Sequence, residues 1–219
     1  MTDVRRRPHS SAMLSVRYSR PMAGEETHEK GADGLRRAKI WLDRTTRAEA
    51  RWVTPDPIAV PKLTFEWKKP GEYSYSFDLG GVLKGGTVDG QEFLAECKKY
   101  DTPLDQGTHY RAYLAKCYCA YQARPDRCDN FMWITWSPFL VSKWDELCTA
   151  GYVRQSLLEH SDRALNEPDK AKAALLISDA TVDAIADRLW VIVLSKRQED
   201  TLMMSKEHLG LIRKFEAEV

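Results

Sequence analysis

The sequence predicts an α/β protein with a mixed central β-sheet flanked by helices. Three observations carry that expectation. The apolar periods run in the order helix, three strands, helix, strand, then further helices and one more strand. The chain has 219 residues, 43% apolar and 30% charged, enough to build one sizeable core. The segment from Phe131 to Trp136 is apolar on both faces, as a central strand requires. The longest apolar run, Leu189 to Leu194, is strand-sized, and no window approaches the roughly eighteen residues of a membrane span. A formal net charge of +1 excludes a bulk polycation while leaving room for a local basic groove. Seven Trp and nine Tyr need burial or a surface to stack on, which argues against extended disorder.

The chain divides into three parts. Residues 1–28 carry Arg5, Arg6, Arg7, Arg17 and Arg20 with few acids and no apolar period, which predicts a basic, mobile arm able to touch phosphates. Residues 29–140 form the expected core. Its first helix runs from about Gly31 to Trp52, with Leu35, Ala38 and Leu42 at three- and four-residue steps. Asp33 sits near its start, and Thr54-Pro55-Asp56-Pro57 breaks it. Leu63 to Lys68 then reads as a strand, Lys69-Pro70-Gly71-Glu72 as a turn, and Tyr73 to Leu79 as a second strand. In that second strand Tyr73, Tyr75, Phe77 and Leu79 alternate with Ser74, Ser76 and Asp78.

Gly80-Gly81, Gly85-Gly86 and Gly90 read as a glycine-rich bend or a second hairpin. Glu92 to Tyr100 is the third strand, with Phe93, Ala95 and Cys97 on one face and Leu94, Glu96 and Lys98 on the other. After Pro103 to Gly107, a helix from Thr108 to Ala123 presents Tyr110, Tyr113, Leu114, Cys117, Tyr118 and Tyr121, and leads into the fourth strand. Residues 141–219 read as a helical extension packed on the same domain. Helices are expected near Lys143–His160, Ala164–Ile177, Ala180–Arg188 and Lys206–Glu218, with a strand at Leu189–Ser195.

Glu96 and Lys98 are two apart on one strand, so both side chains leave the same face, while Cys97 points away into the core. Asp78 is on the polar face of the preceding strand. Two carboxylates meeting at a sheet edge make an oxygen-rich site suited to Mg²⁺. A neighbouring ammonium offsets charge as a phosphodiester is attacked. Here the sequence resembles the PD-(D/E)xK nuclease superfamily, with its restriction-endonuclease-like fold. The resemblance is carried by Phe77-Asp78-Leu79-Gly80-Gly81 and Phe93-Leu94-Ala95-Glu96-Cys97-Lys98-Lys99-Tyr100. It covers about half of the chain, and the family core order, α-β-β-β-α-β, is the order read from Gly31 to Trp136. The resemblance implies that Asp78 and Glu96 bind Mg²⁺ or Mn²⁺, with the Cys97 backbone carbonyl as a further ligand, and that Lys98 is the catalytic lysine.

The motif by itself is weak, because chance supplies about two matches to an acid-x-Lys pattern in a chain with 32 acidic residues. The second match, Glu66-Trp67-Lys68, follows a literal Pro55-Asp56 but runs into a tight turn where the fold needs a crossover helix. Phe77 stands where the family name has proline. Asp33 or Glu49 are candidates for an additional first-helix acid, and Gln106 and Tyr110 match a Q-x-x-x-Y pattern known in one branch of the family. The five histidines are dispersed, with His109 at the start of the crossover helix. Five cysteines, an odd number, predict reduced thiols in a cytoplasmic protein; Cys117-x-Cys119 with Cys128 is not a zinc spacing, so buried small hydrophobes are expected. Trp136-Ser137-Pro138-Phe139 and Trp144 are expected to pack the domain in preference to stacking on bases.

The expected function is a metal-dependent endonuclease acting on DNA, in restriction, defence or repair. The alternative is a catalytically inert member of the same fold used as a DNA- or protein-binding module. No membrane association is expected. Two cuts in a duplex need two sites, so a homodimer or a partner protein is the expected assembly, without an interface the sequence identifies.

Overall fold

The structure, a computed structural model, describes residues 23–45, 47–99 and 105–218, with side chains from Gly31 onward. The expected arm at residues 1–28 lies outside the described residues up to position 22, as do residues 100–104; residues 23–28 belong to a helix. That helix, α1 (Ala23–Thr45), is followed by β1 (Ala48–Val53), a one-turn helix α2 (Val60–Leu63), and two short strands, β2 (Thr64–Phe65) and β3 (Tyr75–Ser76). Next come β4 (Leu79–Leu83), β5 (Glu92–Lys98), the long helix α3 (Gln106–Ala123) and β6 (Asn130–Thr135). Four helices follow, α4 (Ala150–Glu159), α5 (Ser161–Leu165), α6 (Lys170–Leu176) and α7 (Asp179–Ala186), before β7 (Leu189–Val193). The chain closes with α8 (Lys196–Leu202) and α9 (Lys206–Ala217).

The main sheet is mixed and five-stranded, in the order β1-β4-β5-β6-β7. β1, β4 and β5 form an antiparallel meander, while β6 runs parallel to β5 and β7 parallel to β6. A parallel neighbour needs a crossover, and α3 supplies it between β5 and β6. Two apolar layers cover the sheet. On one face Leu94, Phe131 and Trp133 pack against Tyr110, Tyr113 and Leu114 of α3, with α4 and α7 behind. On the other, Phe93, Ala95, Met132 and Ile134 pack against Ala38 and Leu42 of α1. Every residue of β6 is buried, as expected of a strand covered on both faces. Among the described residues, no helix is long and apolar enough to cross a membrane.

Several expectations need correction. The first helix stops at Thr45, and residues 48–53, read from sequence as its last turns, are an edge strand. Ala48 and Ala50 alternate into the α1-side core, a period-two signal hidden by alanine's helix propensity. The expected strands Leu63–Lys68 and Tyr73–Leu79 shrink to β2 and β3, a separate two-stranded ribbon. Tyr73 is exposed and does not share the buried face of Tyr75 and Phe77. The strand that enters the main sheet here is instead Leu79–Leu83, between β1 and β5, so Gly80-Gly81 is strand and not bend. Gly81 is required by close approach: a Cβ there would run into the Glu49 carbonyl oxygen of β1. The hairpin turn lies further on, where Gly85, Gly86 and Gly90 adopt positive φ.

In the C-terminal part, the expected helix from Lys143 becomes a 3₁₀ turn at Val141–Glu146 and then α4. The stretch Ala164–Ile177 splits at Asn166, which is left-handed, into α5 and α6. Helix α8 was not anticipated. β7 extends the main sheet, so the C-terminal part shares the core with the segment before it.

Candidate functional site

Phe77 is fully buried in the α3-side layer, edge-on to Phe65 and Tyr113. That anchor fixes the next residue, Asp78, at the entrance to β4. Asp78 N donates to the Ala95 carbonyl at 3.0 Å, and its own carbonyl accepts from Thr54 N and Oγ1 at 3.1 Å each. Its side chain accepts from Cys97 N, with Oδ2 at 2.8 Å. Leu79 pairs with Ala95, so one step further the register sets Asp78 beside Glu96.

Glu96 and Lys98 leave β5 on the α3 side. Glu96 is 5% exposed. Lys98 Nζ lies 2.7 Å from its Oε1. A second ammonium, Lys116 on α3, donates to both carboxylate oxygens, 3.1 Å to Oε2 and 3.3 Å to Oε1. The structure therefore brings together all three side chains that the sequence singled out, Asp78, Glu96 and Lys98, and adds Lys116, which sequence reasoning missed. A signal for it existed. Lys116 lies inside the buried run Tyr113–Ala120, where a lysine needs a partner.

The electrostatics separate the two carboxylates. Burial, then the neighbouring Glu96 charge, pushes Asp78 up to about 6. Burial also opposes ionisation of Glu96, but the ammoniums of Lys98 and Lys116 outweigh it and hold that carboxyl below its usual range. Glu96 is thus the fixed anion of the pair and Asp78 the more easily protonated one. The Cys97 thiol is buried in the opposite, α1-side layer and pushed well above its usual value by that burial. Only its backbone carbonyl remains as a candidate ligand.

The other candidates lie elsewhere. Asp33 is across the sheet, paired with Lys99 at 2.5 Å and Arg36 at 2.7 Å. Glu49 is toward the far end of β1, opposite Val82, and pairs with Lys84 and Arg51. Gln106 and Tyr110 are both fully buried. Gln106 accepts from Thr135 Oγ1 at 2.9 Å and donates to the Ser137 carbonyl, while Tyr110 Oη donates to the Leu147 carbonyl at 2.9 Å. Both tie α3 to the segment after β6. Glu66 and Lys68 follow the β2 strand and are exposed, away from the main sheet. His109 is exposed on α3. Phe139 is buried, Trp136 lies under the Arg37 guanidinium at 4.9 Å, and Trp144 is half exposed. Cys97, Cys117, Cys119 and Cys128 are buried free thiols, and Cys148 is half-buried.

Among the described residues, no group of three or more His, Cys, Asp or Glu side chains is placed to hold a metal ion. The donors at this site are two carboxylates and one peptide carbonyl. That all-oxygen set suits a hard cation such as Mg²⁺, which keeps several of its waters.

No family model matches the chain, and no curated protein matches it. Among solved structures, the chain is similar to the Moraxella osloensis Cap4 SAVED/CARF-domain containing receptor. The identity is 9% and the TM-score 0.37, over 90% of this chain and 39% of that one. A similarity of that size assigns neither architecture nor function to this chain.

Proposed function

We propose that the chain is a metal-dependent phosphodiesterase with a restriction-endonuclease-like core. More particularly, we propose a nuclease of the PD-(D/E)xK kind that hydrolyses DNA. The observation that carries this reading is the meeting of Asp78, at the entrance to β4, with Glu96 on the adjacent β5, and Lys98 Nζ 2.7 Å from Glu96. The element order supports it: a helix, an antiparallel meander of three strands, a crossover helix and a parallel strand. In this reading Asp78, Glu96 and the Cys97 carbonyl hold Mg²⁺ or Mn²⁺. When bound, such a cation supplies positive charge to the phosphate and a more acidic water.

The chain's own residues do the rest. In phosphodiester hydrolysis water adds to phosphorus as the bond to the leaving oxygen breaks, and negative charge builds on the phosphoryl oxygens. The Lys98 ammonium, fixed by Glu96, is aimed at that charge without reorganising at the moment of reaction. The Cys97 N–H keeps the Asp78 carboxylate in register with Glu96. Phe77 and Thr54 brace the turn from which Asp78 projects.

The test is incubation of the purified chain with linear and circular duplex DNA and Mg²⁺ or Mn²⁺, beside a Lys98→Ala variant. We expect metal-dependent cleavage that falls at least about 100-fold in the variant, the scale of losing one preorganised charge. Equal inactivity of both proteins on duplex, branched and single-stranded DNA would overturn the nuclease reading in favour of an inert binding module.

A further inference from the structure

We propose that Lys116 is a built-in counter-cation of this carboxylate pair, a positioning residue that competes with a divalent ion for Glu96. It thereby sets how much cation the site requires. The inference rests on the reading of Asp78 and Glu96 as a cation-binding pair and assigns Lys116 a part in it.

Three features of the geometry support this. First, Lys116 is held at both ends of its residue. Its carbonyl accepts from Tyr75 Oη at 2.9 Å, and its Nζ reaches the Ser76 carbonyl at 3.4 Å as well as both Glu96 oxygens. β3, which supplies Tyr75 and Ser76, is the segment that leads into Asp78, so α3 and the Asp78 turn are joined through this lysine. Second, its side chain is only 20% exposed. An ammonium so placed is costly unless it is paired, and Glu96 is the anion that pairs it. Third, the charges balance. Asp78 and Glu96 ionised, with Lys98 and Lys116 protonated, leave the cluster neutral, whereas the same site with one lysine would be an anion.

That balance has a chemical consequence. Mg²⁺ binds carboxylate oxygen at about 2.0–2.1 Å, and both Glu96 oxygens already accept from ammoniums at 2.7–3.3 Å. Oε2 accepts from Lys116, so a cation that takes this oxygen meets the Lys116 ammonium directly and is opposed by its charge. Lys116 has the Ser76 carbonyl to fall back on, so it can withdraw from Glu96 and keep a hydrogen bond. Its positive charge stays beside the site, where it opposes the cation and favours an anionic substrate.

The decisive measurement is Mn²⁺ binding without DNA, read from the free-ion signal by electron paramagnetic resonance. It is made on the full chain and on its Lys116→Met, Lys116→Arg and Asp78→Asn variants, with Lys116→Gln as a second neutral variant should methionine prevent folding. We expect Lys116→Met to bind Mn²⁺ at least about tenfold tighter than wild type, because one like charge a few ångströms away is removed. Lys116→Arg should restore affinity close to wild type, and Asp78→Asn should abolish binding. If wild-type binding depends on Asp78 but Lys116→Met binds no more tightly, the counter-cation role is wrong and the cation site stands. Should arginine tighten binding as much as methionine does, the effect is packing and not charge, and the proposal also fails. Absence of Asp78-dependent binding in both wild type and Lys116→Met removes the cation site and this inference together.

Discussion

Lys98 and Lys99 are neighbours at the end of β5 that leave opposite faces of the sheet, and each meets a carboxylate, Glu96 at 2.7 Å and Asp33 at 2.5 Å. Their surroundings differ. On the α1 side, Lys99, Arg36 and Arg37 all approach the single carboxylate of Asp33, which is one-third exposed. Hydrogen bonds from Lys99 and then Arg36 hold Asp33 down at about 2. Arg37 passes on to Glu199 of α8 and stacks on Trp136, so this cluster braces α1, β5 and α8 together. On the α3 side the buried Glu96 takes both ammoniums, while the half-buried Asp78 beside it is driven up to about 6. One strand therefore separates a brace, in which three cations gather on a single part-exposed acid, from a cluster in which charge is confined. The lesson is that a lysine–carboxylate pair says little until its burial and the count of like charges beside it are known.

The largest expected contrast is in stability. Glu96→Gln leaves two poorly hydrated ammoniums facing a neutral amide and should cost about 3 kcal/mol in urea unfolding, in the range for breaking a buried pair. Asp33→Asn on the other face should cost less than about 1 kcal/mol, as exposed pairs do. Equal costs would erase the distinction between the faces. An intermediate effect is expected from Gly34→Ala. A Cβ on Gly34 would lie 2.9 Å from the Lys99 Cβ, so α1 would be forced off β5 at a cost of roughly 1–3 kcal/mol. The variant should loosen the α1-side brace while leaving Mn²⁺ binding on the α3 side unchanged; a parallel loss of both would mean the two clusters are coupled through the strand.

The smallest effect is a pH dependence. Asp33 titrates below its ordinary value of 3.8 in the folded protein, so it contributes stability that is complete above about pH 4 and is lost as the pH falls toward 2. The stability difference between wild type and Asp33→Asn should therefore shrink across that interval. A difference that stays flat would show that Asp33 braces by hydrogen bonding alone.

The legible part of this molecule was the stretch from Glu92 to Thr135. Alternation in Glu92–Lys98, the aromatic stripe of α3 and the two-faced apolarity of β6 each follow one period, and each element formed within two residues of its expected bounds. The juxtaposition of Glu96 and Lys98 was legible for the same reason, since two residues apart on a strand means one face. What failed is where short-range signals conflict. Ala48 and Ala50 favour helix locally but lie on a strand because tertiary packing needs small residues under α1. Gly80 and Gly81 carry a turn signal, yet they are strand because β1 passes too close for a side chain. Asp78 was read at the end of one long strand. It stands between two, since the chain changes partners from β2 to β5 at Phe77. Lys116 escaped notice because a helical stripe is found by its apolar members, and a polar one among them reads as solvent-facing until its partner on the facing strand, Glu96, is known.

Cys97 gives the site a reporter of its own. Its amide holds Asp78, its neighbours are Glu96 and Lys98, and its thiol is sealed in the α1-side layer, 5% exposed. An alkylating reagent can reach that sulfur only when β5 parts from α1, whereas Cys148 is half-buried and offers a faster reference within the same molecule. The rate at which Cys97 becomes labelled is therefore a clock for local opening at the strand that carries the site, read in the intact protein and independent of any substrate.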